Sequence, residues 1–222
     1  MIQKTVIIVA GGKGERMNTV VPKQFLELKG RPILMHTLEV FRRFDPEIQI
    51  VLVLPSEQIE FWKSLCKKYA FALTHTIECG GPTRFHSVKN GLAAVSISSL
   101  IAVHDGVRPL VSVETISACF ETALKYGTAV PVIDAIDSIR EITDDGSRTV
   151  DRTKYKYVQT PQVFDVQLLK RAYEQEASER FTDDASVVEA FGAKIHLVAG
   201  NRENIKITTE TDLIIADQLL KL

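Results

Sequence analysis

Apolar residues occur with two different spacings along the chain. Short continuous runs rich in Val and Ile predict buried strands, and the clearest of these runs are 5–9, 48–54, 100–104 and 128–132. Between the runs, apolar residues recur every three or four positions, as in 33–41 and 113–126, and predict helices with one buried face. Strands that alternate with helices indicate a Rossmann-like α/β fold, with a mainly parallel sheet and helices on both faces.

The alternation stops between residues 133 and 158. Segments 138–142 and 149–152 flank an Asp-Asp-Gly-Ser turn and predict a β-hairpin. No crossover helix follows, so we expect the hairpin to project as an arm over residues 134–157. An isolated two-stranded ribbon is only marginally stable, and a second copy of the chain would stabilise it. The alternative is a hairpin that folds back on its own domain.

Length and composition fit a single domain over residues 1–222 with this arm attached. The chain is 45% hydrophobic and 25% charged, which is ordinary for a globular protein with a large core. Its formal net charge of -1 provides no general basic field for nucleic acid, so phosphate recognition must be local. No apolar run approaches the roughly 18 residues of a membrane span. We therefore expect neither a nucleic-acid partner nor a membrane.

The cysteines and the start of the chain favour a cytoplasmic protein. Cys66, Cys79 and Cys119 are odd in number and lack C-x-x-C spacing, which predicts reduced thiols. The first predicted strand begins almost at Met1, which leaves no room for a targeting peptide. The histidines also lack the spacing of a metal site.

The loop at residues 10–25 carries the strongest candidate chemistry. Gly11, Gly12 and Gly14 let the backbone turn tightly and bring its N–H groups close to a ligand. The charged residues of the loop are Lys13, Glu15, Arg16 and Lys23. Exposed amides together with Arg and Lys suit a polyphosphate. The alternative is an ordinary strand-to-helix turn with solvated cations.

Two common nucleotide-binding motifs do not fit this loop. A Walker A loop requires G-K-[ST] at its end, but Gly14 is followed by Glu15. A dinucleotide fingerprint that starts at Gly12 would have Met17 in place of its third glycine. The sequence therefore indicates a phosphate-binding loop of a third kind.

Two further stretches place charged groups near predicted strands. Asp105 follows the run 100–104, where a carboxylate can accept sugar hydroxyls or approach a divalent cation. Arg108 can bind phosphate oxygens through both arms of its guanidinium, although an Asp–Arg pair that merely closes a turn fits equally well. Lys206 lies between two isoleucines and either extends to solvent or faces a site. In mainly parallel sheets with helices on both faces, ligands bind beyond the carboxyl ends of the strands.

Seven short motifs occur in a fixed order over nearly the whole chain. They are G-x-G-x-R-M (12–17), P-K-Q-F-L (22–26), G-G-x-x-R-x-x-S (80–87), V-H-D-x-x-R-P (103–109), T-P-Q-x-F (160–164), T-D-[DE]-A-S (182–186) and N-I-K-I-T (204–208). Together they resemble the cytidylyltransferases that act on 2-C-methyl-D-erythritol 4-phosphate. The resemblance implies a Mg²⁺-dependent reaction of CTP with that alditol phosphate, which gives 4-diphosphocytidyl-2-C-methyl-D-erythritol and pyrophosphate in the non-mevalonate isoprenoid route.

The resemblance also implies roles for individual residues. Arg16 and Lys23 match the catalytic cations that bind the triphosphate and stabilise the transition state. The CTP-binding positions are Ala10, Gly11, Gly12, Gly14, Gly81 and Ser87. The alditol-phosphate-binding positions are Asp105, Arg108, Ser138, Arg152 and Lys206. Ser138 and Arg152 match arm positions that reach the neighbour's active site in the family's homodimer. Mg²⁺ is expected to be held mainly by CTP phosphates, with Asp105 as its candidate protein ligand.

Two departures and two alternative functions accompany this resemblance. Pro82 stands where the family often has an acidic residue, so one contact near the cytosine edge is lost or made by backbone. Ser138 replaces the usual Thr and keeps the hydroxyl. A ribitol 5-phosphate cytidylyltransferase shares the loop and several motifs, and residue types alone do not distinguish the two polyols. A non-catalytic nucleotide-binding regulatory domain is the other alternative, but it would be marked by loss of Arg16 or Lys23, and both are present.

Overall fold

The structure is a computed structural model that describes residues 2–11, 21–95 and 98–220. Within them the strands are β1 (Lys4–Val9), β2 (Glu27–Leu28), β3 (Arg31–Pro32), β4 (Gln49–Leu54), β5 (Thr76–Cys79), β6 (Leu100–Asp105), β7 (Thr128–Asp134), β8 (Arg140–Thr143), β9 (Gly146–Thr149), β10 (Lys156–Val158), β11 (Gln162–Asp165) and β12 (Leu197–Ala199). The α-helices are α1 (Ile33–Phe44), α2 (Ser56–Lys68), α3 (Arg84–Ala93), α4 (Val113–Tyr126), α5 (Val166–Ala172), α6 (Asp184–Ala190) and α7 (Glu210–Leu219). The predictions for Gly12, Gly14 and Arg16 lie outside the described residues.

The described strands build a central sheet in the order β10-β7-β11-β6-β1-β4-β5, with β12 also paired to β7. β1 pairs in parallel with β4 and β6, and β4 pairs in parallel with β5. The predicted mainly parallel sheet is confirmed. β11 lies antiparallel between β6 and β7, and the sequence did not predict it. With only four residues, β11 is too short for its apolar pattern to indicate a strand or its direction.

Helices cover both faces of the sheet, as predicted. Successive side chains of a strand point to opposite faces, and β1 follows this rule. Val6 and Ile8 pack in the core formed with α1, α2 and α4, whereas Ile7 packs in the core formed with α3, α5 and α6. Because both faces are covered, the whole run is apolar. Trp62 on α2 is fully buried in the first of these cores.

Local capping accounts for the ends of α4, which spans the predicted residues. The Ser112 hydroxyl accepts a hydrogen bond from the Thr115 amide at the first turn. At the other end Gly127 has a φ of 82°, a conformation that glycine adopts without the steric cost of a Cβ. Both boundaries therefore follow from short-range sequence.

The predicted hairpin forms as β8 and β9, which make a separate two-stranded sheet. Thr143 pairs with Gly146, so the turn consists of Asp144 and Asp145. The side chains of this ribbon are largely exposed, Ile142 to 79%, and not folded back onto the domain. The ribbon is shorter than the predicted arm of 134–157, because β7 extends to Asp134 and pairs with β10 in the central sheet.

The three cysteines are free. Burial raises the pKa of the Cys66 thiol to about 11 and that of the Cys119 thiol to about 12, so both stay protonated at neutral pH. Across the described part of the chain, no helix combines the length and apolar character needed to cross a bilayer.

Candidate active site

A cavity of about 570 Å³ opens where β1, β4, β5 and β6 end. Its lining includes residues at or next to these strand ends, namely Val9, Ala10, Leu54, Gly80 and Asp105. The predicted site residues that line it are Ala10, Gly11, Lys23, Gly81, Ser87, Asp105 and Lys206. Parallel strands bring their carboxyl ends to one edge of the sheet, where ligands bind. Motifs that are distant in sequence therefore meet in one cavity.

Backbone groups and small side chains form one wall of this cavity. The Gly81 amide lies 3.1 Å from the Ser87 hydroxyl, which donates to the Thr83 carbonyl at 3.0 Å. A Cβ on Gly81 would lie 2.4 Å from the Cβ of His86, so this close turn requires glycine. Pro82 lines the same wall. Gly80, Gly81 and Pro82 thus present mainly backbone to the cavity.

Gln24 joins the two ends of the glycine loop. Its side-chain amide is fully buried and donates to the Ala10 carbonyl at 2.8 Å and to Gln58 Oε1 at 2.5 Å. The neighbouring Lys23 lines the cavity. The sequence included Gln24 in the P-K-Q motif without assigning it a role. Its contacts hold Ala10 and Gln24 together at one edge of the sheet.

Asp105 is the centre of a charged cluster that contributes to the lining of the cavity. Its Oδ2 lies 3.0 Å from Lys206 Nζ and 3.2 Å from Arg108 Nε, and its Oδ1 lies 3.9 Å from Arg84 Nε. Burial by itself raises the pKa of the Asp105 carboxyl, but these three cations together bring it well below its usual range. The carboxylate is therefore ionised at physiological pH. With Asp184, which pairs with Arg84, the cluster retains one excess positive charge, which suits a phosphate.

Arg108 is held between Asp105 and Asn204. Its side chain is only 12% exposed, and its Nη1 donates to the Asn204 carbonyl at 2.7 Å. It is not part of the cavity lining formed by the described residues. Arg108 thus braces Asp105 and the segment that carries Lys206, and its predicted contact with the alditol phosphate stays a prediction.

His104 fixes both ends of the turn between Asp105 and Arg108. The Asp105 amide donates to the Thr160 hydroxyl at 3.1 Å, and that hydroxyl contacts His104 Nδ1 at 3.1 Å. His104 Nε2 lies 3.0 Å from the Arg108 carbonyl. Burial lowers the pKa of His104 to about 4, so the ring is neutral and carries its proton on Nε2, facing the carbonyl. Apart from the H-D pair, no pattern along the chain pointed to this role.

Two predicted residues lie away from this cavity. Ser138 and Arg152 are exposed near the base of the hairpin, and the Arg152 guanidinium donates to the Ile136 carbonyl. They are not among the described residues that line the chain's own cavity. Their predicted contribution to a neighbour's site stays a prediction.

The donor set at Asp105 does not favour a divalent cation bound by protein alone. Among the described residues, no group of three or more His, Cys, Asp or Glu side chains could hold a metal ion. Asp105 also faces three positive side chains within 4 Å, which would repel a second cation from most directions. Phosphate oxygens of a bound nucleotide are hard ligands that suit Mg²⁺.

The chain matches one protein family in sequence and in structure. The family model IspD, 2-C-methyl-D-erythritol 4-phosphate cytidylyltransferase, matches residues 4–222. Proteins of that name from Bacteroides thetaiotaomicron and Bacteroides fragilis are each 58% identical to this chain, covering 99% and 98% of it and 100% and 99% of themselves. The crystal structure of 4-diphosphocytidyl-2C-methyl-D-erythritol synthase from Anaerococcus prevotii superimposes with a TM-score of 0.83 at 32% identity, covering 98% of this chain and 96% of that one.

Proposed function

The chain belongs to the 2-C-methyl-D-erythritol 4-phosphate cytidylyltransferase family, and from this we propose that it converts CTP and 2-C-methyl-D-erythritol 4-phosphate to 4-diphosphocytidyl-2-C-methyl-D-erythritol and pyrophosphate. One observation carries the proposal for this chain. The glycine-loop end, the Gly81–Ser87 wall and the Asp105–Lys206 cluster line one cavity. A nucleotide half and an acceptor half are therefore adjacent.

The chemistry requires cations more than a base. A phosphate oxygen of the alditol phosphate attacks the α-phosphorus of CTP, and the bond from that phosphorus to the bridging oxygen of pyrophosphate breaks. The nucleophile is already an anion, so no strong base is needed. The difficulty is the approach of two anions and the charge that builds on the leaving group, which fixed cations stabilise. Arg16 and Lys23 take this catalytic role in our proposal.

The remaining predicted residues divide between the two substrates. The proposed CTP-binding residues are Ala10, Gly11, Gly12, Gly14, Gly81 and Ser87, and the proposed alditol-phosphate-binding residues are Asp105, Arg108 and Lys206. The lining of the cavity supports this division, because it contains both the Gly81–Ser87 segment and the Asp105–Lys206 pair. Arg108 also contacts Asp105 Oδ2 and the Asn204 carbonyl, and these contacts fix its guanidinium group beside Asp105.

We include Mg²⁺ as the cofactor of the reaction. It would be held mainly by the phosphates of CTP, with Asp105 supplying at most one oxygen because two cations already contact its Oδ2. When bound, the ion neutralises phosphate charge and orients the triphosphate. Lys23 would serve the same phosphates from the protein side.

The arm is the proposed dimer contact within a single-domain chain. The exposed apolar side chains Ile136, Ile142 and Tyr155 on or beside the ribbon support it, because a partner surface would cover them. In the homodimer, Ser138 and Arg152 of one chain would bind the alditol phosphate at the site of the other. We place the enzyme in the cytoplasm, with small-molecule substrates and neither nucleic acid nor membrane as a partner. The protonated thiols of Cys66 and Cys119 fit that compartment.

The direct test is pyrophosphate release from CTP by the purified full-length protein. We expect turnover with 2-C-methyl-D-erythritol 4-phosphate and Mg²⁺, much slower turnover with ribitol 5-phosphate, and loss of activity when EDTA removes the metal. Equal or faster turnover with ribitol 5-phosphate would change the substrate assignment. No release with either acceptor, from protein that is folded by circular dichroism, would overturn the enzymatic proposal.

A further inference from the structure

Asp184 is a buried carboxylate beside the cavity to which the proposed reaction assigns no role. It is the first residue of α6 and is fully buried. Its two oxygens accept from Arg84 Nη1 at 3.0 Å and Arg84 Nη2 at 2.6 Å. The Tyr173 hydroxyl donates to Oδ1 at 2.6 Å. Such a two-pronged contact fixes the plane of a guanidinium group, which a single contact does not.

The same guanidinium group faces the proposed acceptor half of the cavity. Arg84 lines the cavity, and its Nε lies 3.9 Å from Asp105 Oδ1. This separation exceeds hydrogen-bond distance, so Arg84 is close enough to favour the ionised Asp105 without bonding directly to Oδ1. Lys206 and Arg108, by contrast, both contact Oδ2. Oδ2 of Asp105 is therefore contacted by two cations, whereas Arg84 stays beyond hydrogen-bond distance of Oδ1.

The surroundings of Asp184 hold it firmly in place. Gln162 on β11 donates from its amide to Asp183 Oδ2 at 2.8 Å and accepts from the Ala185 amide at 2.8 Å. It thus contacts the residues on both sides of Asp184. The Tyr173 ring stacks on Phe85, with ring centroids 4.7 Å apart. The position of Arg84 is consequently set by α6 and β11 as well as by its own helix.

Stability alone gives a weak reason for this arrangement. A buried ion pair contributes little net stability compared with apolar side chains of similar volume, because both charges lose their hydration. A clamp that fixes the distance between a cation and a substrate-binding carboxylate has a clear use, however. If Arg84 were released, it could close onto Asp105 Oδ1 and occupy the oxygen that would accept a substrate hydroxyl.

We propose that Asp184 and Tyr173 are positioning residues of the acceptor half, which hold Arg84 away from Asp105 Oδ1 and so keep that oxygen available to a hydroxyl of the polyol phosphate. The inference rests on the proposed function, because it uses the polyol phosphate as the ligand. It adds Arg84 to the acceptor half and gives the T-D-[DE]-A-S motif a physical task.

The test begins with Tyr173→Phe, which keeps the ring and its stack on Phe85 and removes only the hydroxyl. In pyrophosphate-release assays with the full-length enzyme, we expect KM for the alditol phosphate to rise by about threefold to tenfold, the change typical of one lost intramolecular hydrogen bond. KM for CTP and kcat should stay within about twofold. Asp184→Asn should give a larger rise of the same kind. Tyr126→Phe, which removes the hydroxyl of an exposed tyrosine on α4, is the matched control and should change none of these constants.

A double-variant measurement separates positioning from a general structural role. In an Arg84→Lys background, which keeps the charge but loses the fork, Tyr173→Phe should cause no further rise in KM for the alditol phosphate. An additive rise there, or an unchanged KM in Tyr173→Phe alone with only a lower melting temperature, would overturn the inference. If Asp184→Asn fails to fold, Tyr173→Phe and the double variant still decide. A parent enzyme without turnover would instead overturn the proposed function, which keeps the two failures distinct.

Discussion

The acceptor cluster and the hairpin arm both contain arginine–carboxylate pairs, but the pairs serve different ends. In the cluster, Asp105 is 7% exposed and is approached by three cations, of which Arg84 and Arg108 are also held by Asp184 and Asn204. On the arm, Arg148 contacts Glu141 at 2.5 Å with side chains that are 70% and 45% exposed. Solvent screens the second pair, which contributes little stability. Burial makes the first pair sensitive to the loss of any partner.

The two regions also differ in how many of their contacts come from the same chain. The cluster brings together charges from α3, β6 and the segment before α7 within a single chain. The arm exposes Ile142 to solvent on a ribbon that pairs only with itself in the described structure. Geometry in the cluster is fixed by contacts within one chain, whereas the function that we propose for the arm requires a dimer. Four predictions test this contrast.

The largest expected effect is that of Lys23→Ala in the cavity. One charge pair at about 4 Å and an effective dielectric near 20 is worth roughly 4 kcal/mol, or nearly three decades in rate if it acts only in the transition state. We therefore expect kcat to fall by about 10²- to 10³-fold while KM for CTP changes by less than about tenfold. Steady-state pyrophosphate release measures both constants. A nearly normal kcat in folded protein would refute the catalytic role.

Asp105→Asn should disrupt the acceptor cluster with almost no change in shape. It leaves three cations without their shared carboxylate, so we expect the free energy of unfolding to fall by about 3 kcal/mol and KM for the alditol phosphate to rise by about tenfold or more. Urea denaturation and initial rates provide the measurements. Adding Lys206→Gln should recover part of the lost stability but not the acceptor affinity. Unchanged stability in Asp105→Asn would mean that the cluster is not energetically coupled.

The buried His104 predicts how stability depends on pH. Its ordinary pKa of 6.5 is lowered to about 4 by burial. As the pH falls from 7 to 4, the unfolded chain takes up a proton at this histidine before the folded chain does. The contribution of His104 to the free energy of unfolding is therefore fully present above about pH 6.5 and decreases by about 3 kcal/mol toward pH 4. Burial also lowers the pKa values of His36 and His75, which acts in the same direction. Urea denaturation across this range, with NMR titration of the His104 ring, gives the test; protonation of His104 near pH 6.5 in the folded protein would contradict it.

The smallest effects are expected on the arm. Arg152→Ala should raise KM for the alditol phosphate by about tenfold through loss of one charged contact, with little change for CTP, provided that the enzyme is dimeric by sedimentation. Arg148→Ala is the matched control on the same ribbon. Its exposed pair should change neither KM, and the melting temperature should shift by less than about 2 °C. An unchanged KM for the alditol phosphate in dimeric Arg152→Ala would contradict the shared-site proposal.

Much of the fold could be predicted from the sequence because the local spacing of apolar residues identifies strands and helices. The apolar runs at β1, β4 and β6 identify strands buried on both faces, and the helical period and Ser112 cap locate α4. The motifs also placed Gly81, Asp105 and Lys206 in one site, since all three follow strand ends or strand-like runs. The arm was predicted from its turn residues, although its base belongs to the central sheet. The roles assigned through the motifs stay predictions until the variants are measured.

Only the tertiary structure decided which charges meet. Arg84 and Asp184 are 100 positions apart in sequence, and His104 reaches Thr160 only because β11 enters the sheet antiparallel beside β6. Periodicity shows that a residue faces a core or a strand end, but strand order and direction depend on pairings between distant segments. Those pairings brought Arg84 and Arg108 to the same carboxylate, Asp105. The sequence by itself determined the parts of the site, and long-range packing determined their partners.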